Sequence, residues 1–119
     1  MNIPSDTAQS QSVAVVGGSG FVGRHLAEKL RLRGHRVTIF TRRASDTLAA
    51  RLAPAEIVEV DTGSTNACIN ALKGHGVLIN LAGILHESRG QSFLSAHAQL
   101  PARLVLACEA AGVGRYLHM

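Results

Sequence analysis

Three glycines, Gly17, Gly20 and Gly23, are the residues whose type and spacing most plainly suit chemistry. They lie in Gly17-Gly18-Ser19-Gly20-Phe21-Val22-Gly23, behind a short apolar run, Val13 to Val16, and ahead of a helical repeat of Val22, Leu26 and Leu30 that stops at Gly34. Glycines at a strand-to-helix bend let backbone amides and the helix dipole hold a pyrophosphate. The first permits the tight turn, the middle one lets the backbone approach the anion, and the third lets the helix pack closely on the strand. The spacing is GxxGxxG instead of GxGxxG. A glycine triplet by itself also marks an ordinary tight turn, and its place between strand and helix favours the phosphate reading. Ser19 adds a hydroxyl that can reach a phosphate.

A second candidate lies at the end of the next apolar run, Val37 to Phe40. Where a carboxylate would hold the ribose hydroxyls of NAD, the chain has Thr41-Arg42-Arg43. Guanidinium groups form charge-assisted bonds with phosphate, so Arg42, helped by Arg43, suits the 2′-phosphate of NADP. NADP is therefore the expected cofactor, with NAD the alternative. A solvated arginine pair at a helix start is the competing reading. Six histidines include no HExxH pair, and no metal site is expected. His86 is placed to line a crevice, whereas His25 and His35 flank the first helix as solvated groups. Cys68 and Cys108 form no CxxC pair and read as small apolar helix residues. The absence of a GxSxG elbow, and of a Lys after the last glycine, removes the hydrolase and P-loop readings.

These residues need a scaffold, and its elements are legible. The chain has 119 residues, 46% hydrophobic and 17% charged, which suits one globular domain. The net charge is +4 but aromatics are only 3%, so no nucleic-acid partner is expected. No apolar run is long enough to span a bilayer, and a cytoplasmic location is expected. Residues 1–12 read as a flexible tail and 13–119 as the domain. After the glycine loop come a strand at Val37 to Phe40, a helix from Ala44 to Leu52, a strand from Ile57 to Val60, and a helix capped by Asn66 running through Lys73. A strand from Val77 to Leu81, a helix from about Phe93 to Ala111, and a strand from Arg115 to His118 follow. Along the last helix Leu94, Leu104, Val105, Leu106 and Cys108 read as sheet-facing core. Strands alternating with helices predict an α/β fold, a Rossmann-type doubly wound parallel sheet of order 3-2-1-4-5 that is truncated after strand five. The ligand crevice then lies beyond the carboxyl ends of strands one and four, between the loops after Val16 and Leu81.

From Val16 to Gly23 the chain resembles the extended and atypical short-chain dehydrogenase/reductase superfamily, which includes sugar-nucleotide epimerases and dehydratases. The resemblance implies that Asp61 and the backbone amide of Thr62 contact adenine, unless Asp61 merely caps its loop. It also implies that Leu81, Ala82 and Gly83 lie along the cofactor ribose. Asn80-Leu81-Ala82-Gly83-Ile84-Leu85, then Phe93, His97, Leu100-Pro101 and Arg115-Tyr116-Leu117-His118-Met119, are similar to the atypical branch related to the Rossmann accessory subunit of respiratory complex I. His97 stands where extended members carry an Asn facing the active site, which implies a place near the nicotinamide; a helix-core histidine is the other reading. The superfamily's acid/base pair, YxxxK, is not matched: Tyr116 is the single tyrosine, lies inside strand five, and has no Lys four residues later. No catalytic residue is assigned. The chain is expected to be the N-terminal part of a longer protein that acts on a small molecule or sugar nucleotide, as a hydride-moving oxidoreductase, epimerase or dehydratase. The rival expectation is a non-catalytic dinucleotide-binding module of a respiratory complex or redox sensor. Helices that build dimer interfaces in extended relatives make a homo-oligomer plausible.

Overall fold

A computed structural model describes residues 10–18, 20–82 and 99–119. Five parallel strands, β1 (Ser12–Val16), β2 (Arg36–Thr41), β3 (Glu56–Glu59), β4 (Val77–Asn80) and β5 (Arg115–His118), form one sheet in the order β3-β2-β1-β4-β5. The expected order is thus the observed one. Among the described residues four helices connect them: α1 (Phe21–Leu32), α2 (Asp46–Leu52), α3 (Thr65–Leu72) and α4 (Leu100–Ala111).

The central strand explains the layering. Side chains alternate across a strand, so Ala14 and Val16 of β1 join a core with Phe40, Leu72, Leu104 and Cys108, while Val13 and Val15 join a second core with Ala27, Ile39, Leu48 and Leu52. One face is thereby covered by α3 and α4, the other by α1 and α2. Both cysteines are buried in helices, as their apolar setting predicts. The outer strands β3 and β5 are mostly exposed.

Register carries the loops to a common level. Val13 pairs with Val37 on one side and Val77 on the other, so Val16 lies level with Phe40 and Asn80. β1 starts at Ser12, which pairs with Arg36, and Ser10 and Gln11 hydrogen-bond to Gly34, His35 and Arg36.

Several local expectations need correction. α2 begins at Asp46 and not Ala44, because Ser45 takes the N-cap and its hydroxyl accepts from the Leu48 amide at 3.0 Å. The cap of α3 is Ser64, not Asn66: its hydroxyl accepts from Ala67 N at 3.1 Å, leaving Asn66 inside the first turn. β3 runs Glu56–Glu59, with Val60 just beyond it, and β4 ends at Asn80. Along α4, Leu104 and Cys108 face the sheet, but Val105 (39% exposed) and Leu106 (60% exposed) point to solvent. They follow Leu104 by one and two positions, which turns them away from its face. Leu94 lies outside the described residues.

Candidate functional site

The glycine loop is built on two close backbone approaches. Gly17 has φ +80°, and a Cβ there would stand 2.8 Å from the Ala82 nitrogen. Glycine is required at this point both for the left-handed turn and for contact with the chain leaving β4. Further along, a Cβ on Gly23 would collide with the backbone of Gly18. The third glycine therefore lets α1 close on its own loop, a tighter contact than the strand packing expected from sequence. Gly18 meets only the side-chain ends of Val15 and Ile39.

Gly20 differs from these. Among the described residues nothing lies within 4 Å of a Cβ added to it, so no contact among them calls for its bare backbone. It is the N-cap of α1, without a side-chain cap, and the first turn contains no acidic residue. The first amide of α1 that donates within the helix is that of Arg24, to Gly20 O at 3.0 Å. A helix end with a positive dipole and no side-chain cap is suited to an anion. Phe21 is 67% exposed at this end, its ring 4.3 Å from that of the exposed His25, and Val22 packs into the core beneath. Ser19 lies outside the described residues.

Opposite this loop, the exit of β4 is held by a residue to which sequence reasoning gave no role. Asn80 is fully buried; its Oδ1 accepts from Ala82 N at 2.9 Å and its Nδ2 donates to the Tyr116 hydroxyl at 3.0 Å. Leu81 N donates to Val16 O at 2.8 Å. Asn80 thus fixes the bend that sets Ala82 against Gly17. Burial pushes the Tyr116 phenol up, and its hydroxyl also meets His118 Nδ1 at 3.3 Å. An amide closing an apolar strand is the available signal, since a buried amide must find partners. Gly83, His86 and His97 lie outside the described residues.

The third wall comes from the ends of β2 and β3. Arg42 and Arg43 are both exposed. Their turn is pinned at its two ends: Thr41 Oγ1 accepts from Arg43 N at 3.3 Å, and Glu59 Oε1 accepts from Ala44 N at 3.0 Å. Asp61 Oδ1 accepts from Gly63 N at 2.9 Å, so one carboxylate oxygen caps its own loop. Arg103, the single cation of α4, donates to Thr62 O at 2.9 Å and ties this loop to the helix. The burial of Cys68 beside this cluster raises its thiol, with Arg103 opposing. Burial likewise pushes Cys108 up to about 11. Neither is an activated nucleophile.

A cavity of about 490 Å³ opens at the other end of the sheet, lined by Ser12, Arg31, Arg36, Glu56, Lys73 and His75 among others. Arg31 sits in the last turn of α1 and Lys73 caps the end of α3, where cations offset the negative ends of helix dipoles. Those charges have a structural use. The carboxyl end is therefore the better candidate. Among the described residues no three His, Cys, Asp or Glu side chains converge on a metal position, and no helix is long and apolar enough to cross a membrane.

Comparison with known proteins agrees with this geometry. The family model described as "NAD dependent epimerase/dehydratase family" matches residues 13–119. The chain is 30% identical to 3 beta-hydroxysteroid dehydrogenase/Delta 5-->4-isomerase of Mycobacterium tuberculosis, over 99% of this chain and 34% of that protein. It is also 30% identical to mitochondrial NADH dehydrogenase (ubiquinone) 1 alpha subcomplex subunit 9 of Rattus norvegicus, over 88% of this chain and 29% of that protein. Among solved structures, UDP-glucose-4-epimerase of Stenotrophomonas maltophila, with bound NAD, superposes with a TM-score of 0.75 at 20% identity, over 91% of this chain and 36% of that one. The chain thus spans about a third of the length of each.

Proposed function

Because the chain belongs to the NAD dependent epimerase/dehydratase family, we propose that its carboxyl-end crevice binds a nicotinamide dinucleotide. The observation that carries this reading is the α1 N-terminus: an end without a side-chain cap, free of acidic residues in its first turn, beside a Gly20 whose added Cβ would meet none of the described residues within 4 Å. The pyrophosphate would rest on the loop Gly17, Gly18, Ser19, Gly20, Phe21, Val22 and Gly23. Leu81, Ala82 and Gly83 would flank a ribose, with His97 toward the nicotinamide. Asp61 and Thr62 would border the adenine, and Arg42 with Arg43 would receive a 2′-phosphate, which favours NADP over NAD. The nicotinamide supplies hydride chemistry when bound. The protein's contribution is to orient it and hold its charges.

As part of a longer relative, the domain would serve an oxidoreductase, epimerase or dehydratase acting on a small molecule or sugar nucleotide. Similarity to the rat NADH dehydrogenase subunit supports a second reading, in which the dinucleotide is bound without turnover. Tyr116 favours neither reading: its hydroxyl accepts from Asn80 and meets His118 Nδ1 within the sheet.

Thermal unfolding of the folded chain with NADPH and with NADH tests the binding reading. Ligand at a hundred times its dissociation constant should add about 2.7 kcal/mol of stability, with NADPH effective at lower concentration. No shift with either nucleotide would contradict it.

A further inference from the structure

We propose that Glu59 sets how strongly the Arg42–Arg43 corner prefers NADP to NAD, a proposal that rests on the dinucleotide reading above. Parallel register pairs Thr41 with Glu59, which brings the end of β3 beside the end of β2. From there the Glu59 carboxylate reaches past the arginines and accepts from the Ala44 amide at 3.0 Å. Thr41 Oγ1 accepts from Arg43 N at 3.3 Å on the same turn. The two arginines therefore stand on a backbone turn fixed at both ends, and one of the two pins is a negative charge.

That arrangement gives Glu59 two opposed effects. As an acceptor it holds the turn in the shape that presents the guanidinium groups, which costs less affinity than ordering a loose loop on binding. As a charge it lowers the net positive charge of the corner from two to one, which weakens attraction for a 2′-phosphate and leaves a bare ribose hydroxyl nearly unaffected. All three side chains are exposed, so the charge effect is modest and screened by salt, on the order of threefold at low ionic strength. The position is distinct from the end of β2, where a discriminating carboxylate is ordinarily sought.

The two effects separate by substitution. Glu59→Gln keeps an oxygen acceptor for Ala44 N and removes the charge; Glu59→Ala removes both. Dissociation constants for NADPH and NADH are measured on each folded variant at 50 mM and 500 mM salt. Glu59→Gln should raise the NADPH preference about threefold at the lower salt and less at the higher. Glu59→Ala should fall below Glu59→Gln in NADPH affinity. An unchanged NADPH:NADH ratio in Glu59→Gln, or a Glu59→Ala variant that matches it, overturns the proposal while both nucleotides still bind. Failure of wild-type chain to bind either nucleotide overturns instead the dinucleotide reading on which it rests.

Discussion

The two ends of α1 meet the helix-terminus problem in opposite ways. At the amino ends of the strands, helix carbonyls face charged side chains: Arg31 and Lys73 stand at the ends of α1 and α3, and Arg36, Glu56 and His75 surround Ser12. At the carboxyl ends, α1 starts behind Gly20 with no side-chain cap and no acidic residue in its first turn. At that same end α2 and α3 are capped by the Ser45 and Ser64 hydroxyls, so α1 is the helix whose N-terminus carries no side-chain cap. The proposed site thus rests on a helix N-terminus without a side-chain cap and not on the cavity at the amino end.

The largest test of that contrast is Gly23→Ala. In an ordinary helix interior Ala is favoured over Gly by about 1 kcal/mol. Here the methyl strikes the Gly18 backbone, so a loss of about 3 kcal/mol in urea unfolding is expected, the opposite sign. Gly74→Ala, at the amino-end turn with φ +89° and nothing within 4 Å, should lose only about 1 kcal/mol from backbone strain.

Next comes Asn80→Ala, which strips the Ala82 amide and the Tyr116 hydroxyl of a buried partner. A loss of about 2 to 3 kcal/mol is expected, with weaker dinucleotide binding in variants still folded, because the wall against Gly17 is released. Gly20→Ala should separate stability from binding. Its φ of −88° suits alanine and no neighbour is struck, so unfolding should change by less than about 1 kcal/mol, while calorimetry should record at least a tenfold loss of NADPH affinity.

The smallest effect belongs to the amino end. Burial, and then Arg36, hold the His75 imidazole below its ordinary value of 6.5, with Glu56 and a hydrogen bond to Ser12 opposing. The unfolded chain takes up the proton first, so this contribution is complete above about pH 6.5 and drains as pH falls toward the lower folded value. Wild-type protein should lose more stability than His75→Gln between pH 7 and 5.5, and equal losses would contradict the assigned cause.

Sequence made some of this legible for physical reasons. An apolar run too continuous for a half-exposed strand identified β1 as buried on both faces, and the alternation of strands and helices gave the sheet order. The exposed strands β3 and β5 fit that pattern poorly, since an edge strand has less to bury. Helix starts were misplaced where several capping residues crowd together: Asp61, Thr62, Ser64, Thr65 and Asn66 can all cap, and the Asp61–Gly63 turn decides for Ser64. Asn80, Glu59 and Arg103 were given no role from sequence because each acts through a partner brought near by the fold, Tyr116, Ala44 and Thr62 respectively.

The central claim is that the bare carboxyl end, and not the charged amino end, receives the ligand. Amide chemical-shift changes across the folded, isotope-labelled chain on addition of NADPH test it most directly. The account predicts shifts at Gly17–Gly23, Arg42–Ala44, Asp61–Gly63 and Leu81–Ala82, with Ser12, Arg36 and His75 unmoved. Shifts confined to the amino end, or none at saturating nucleotide, would contradict it.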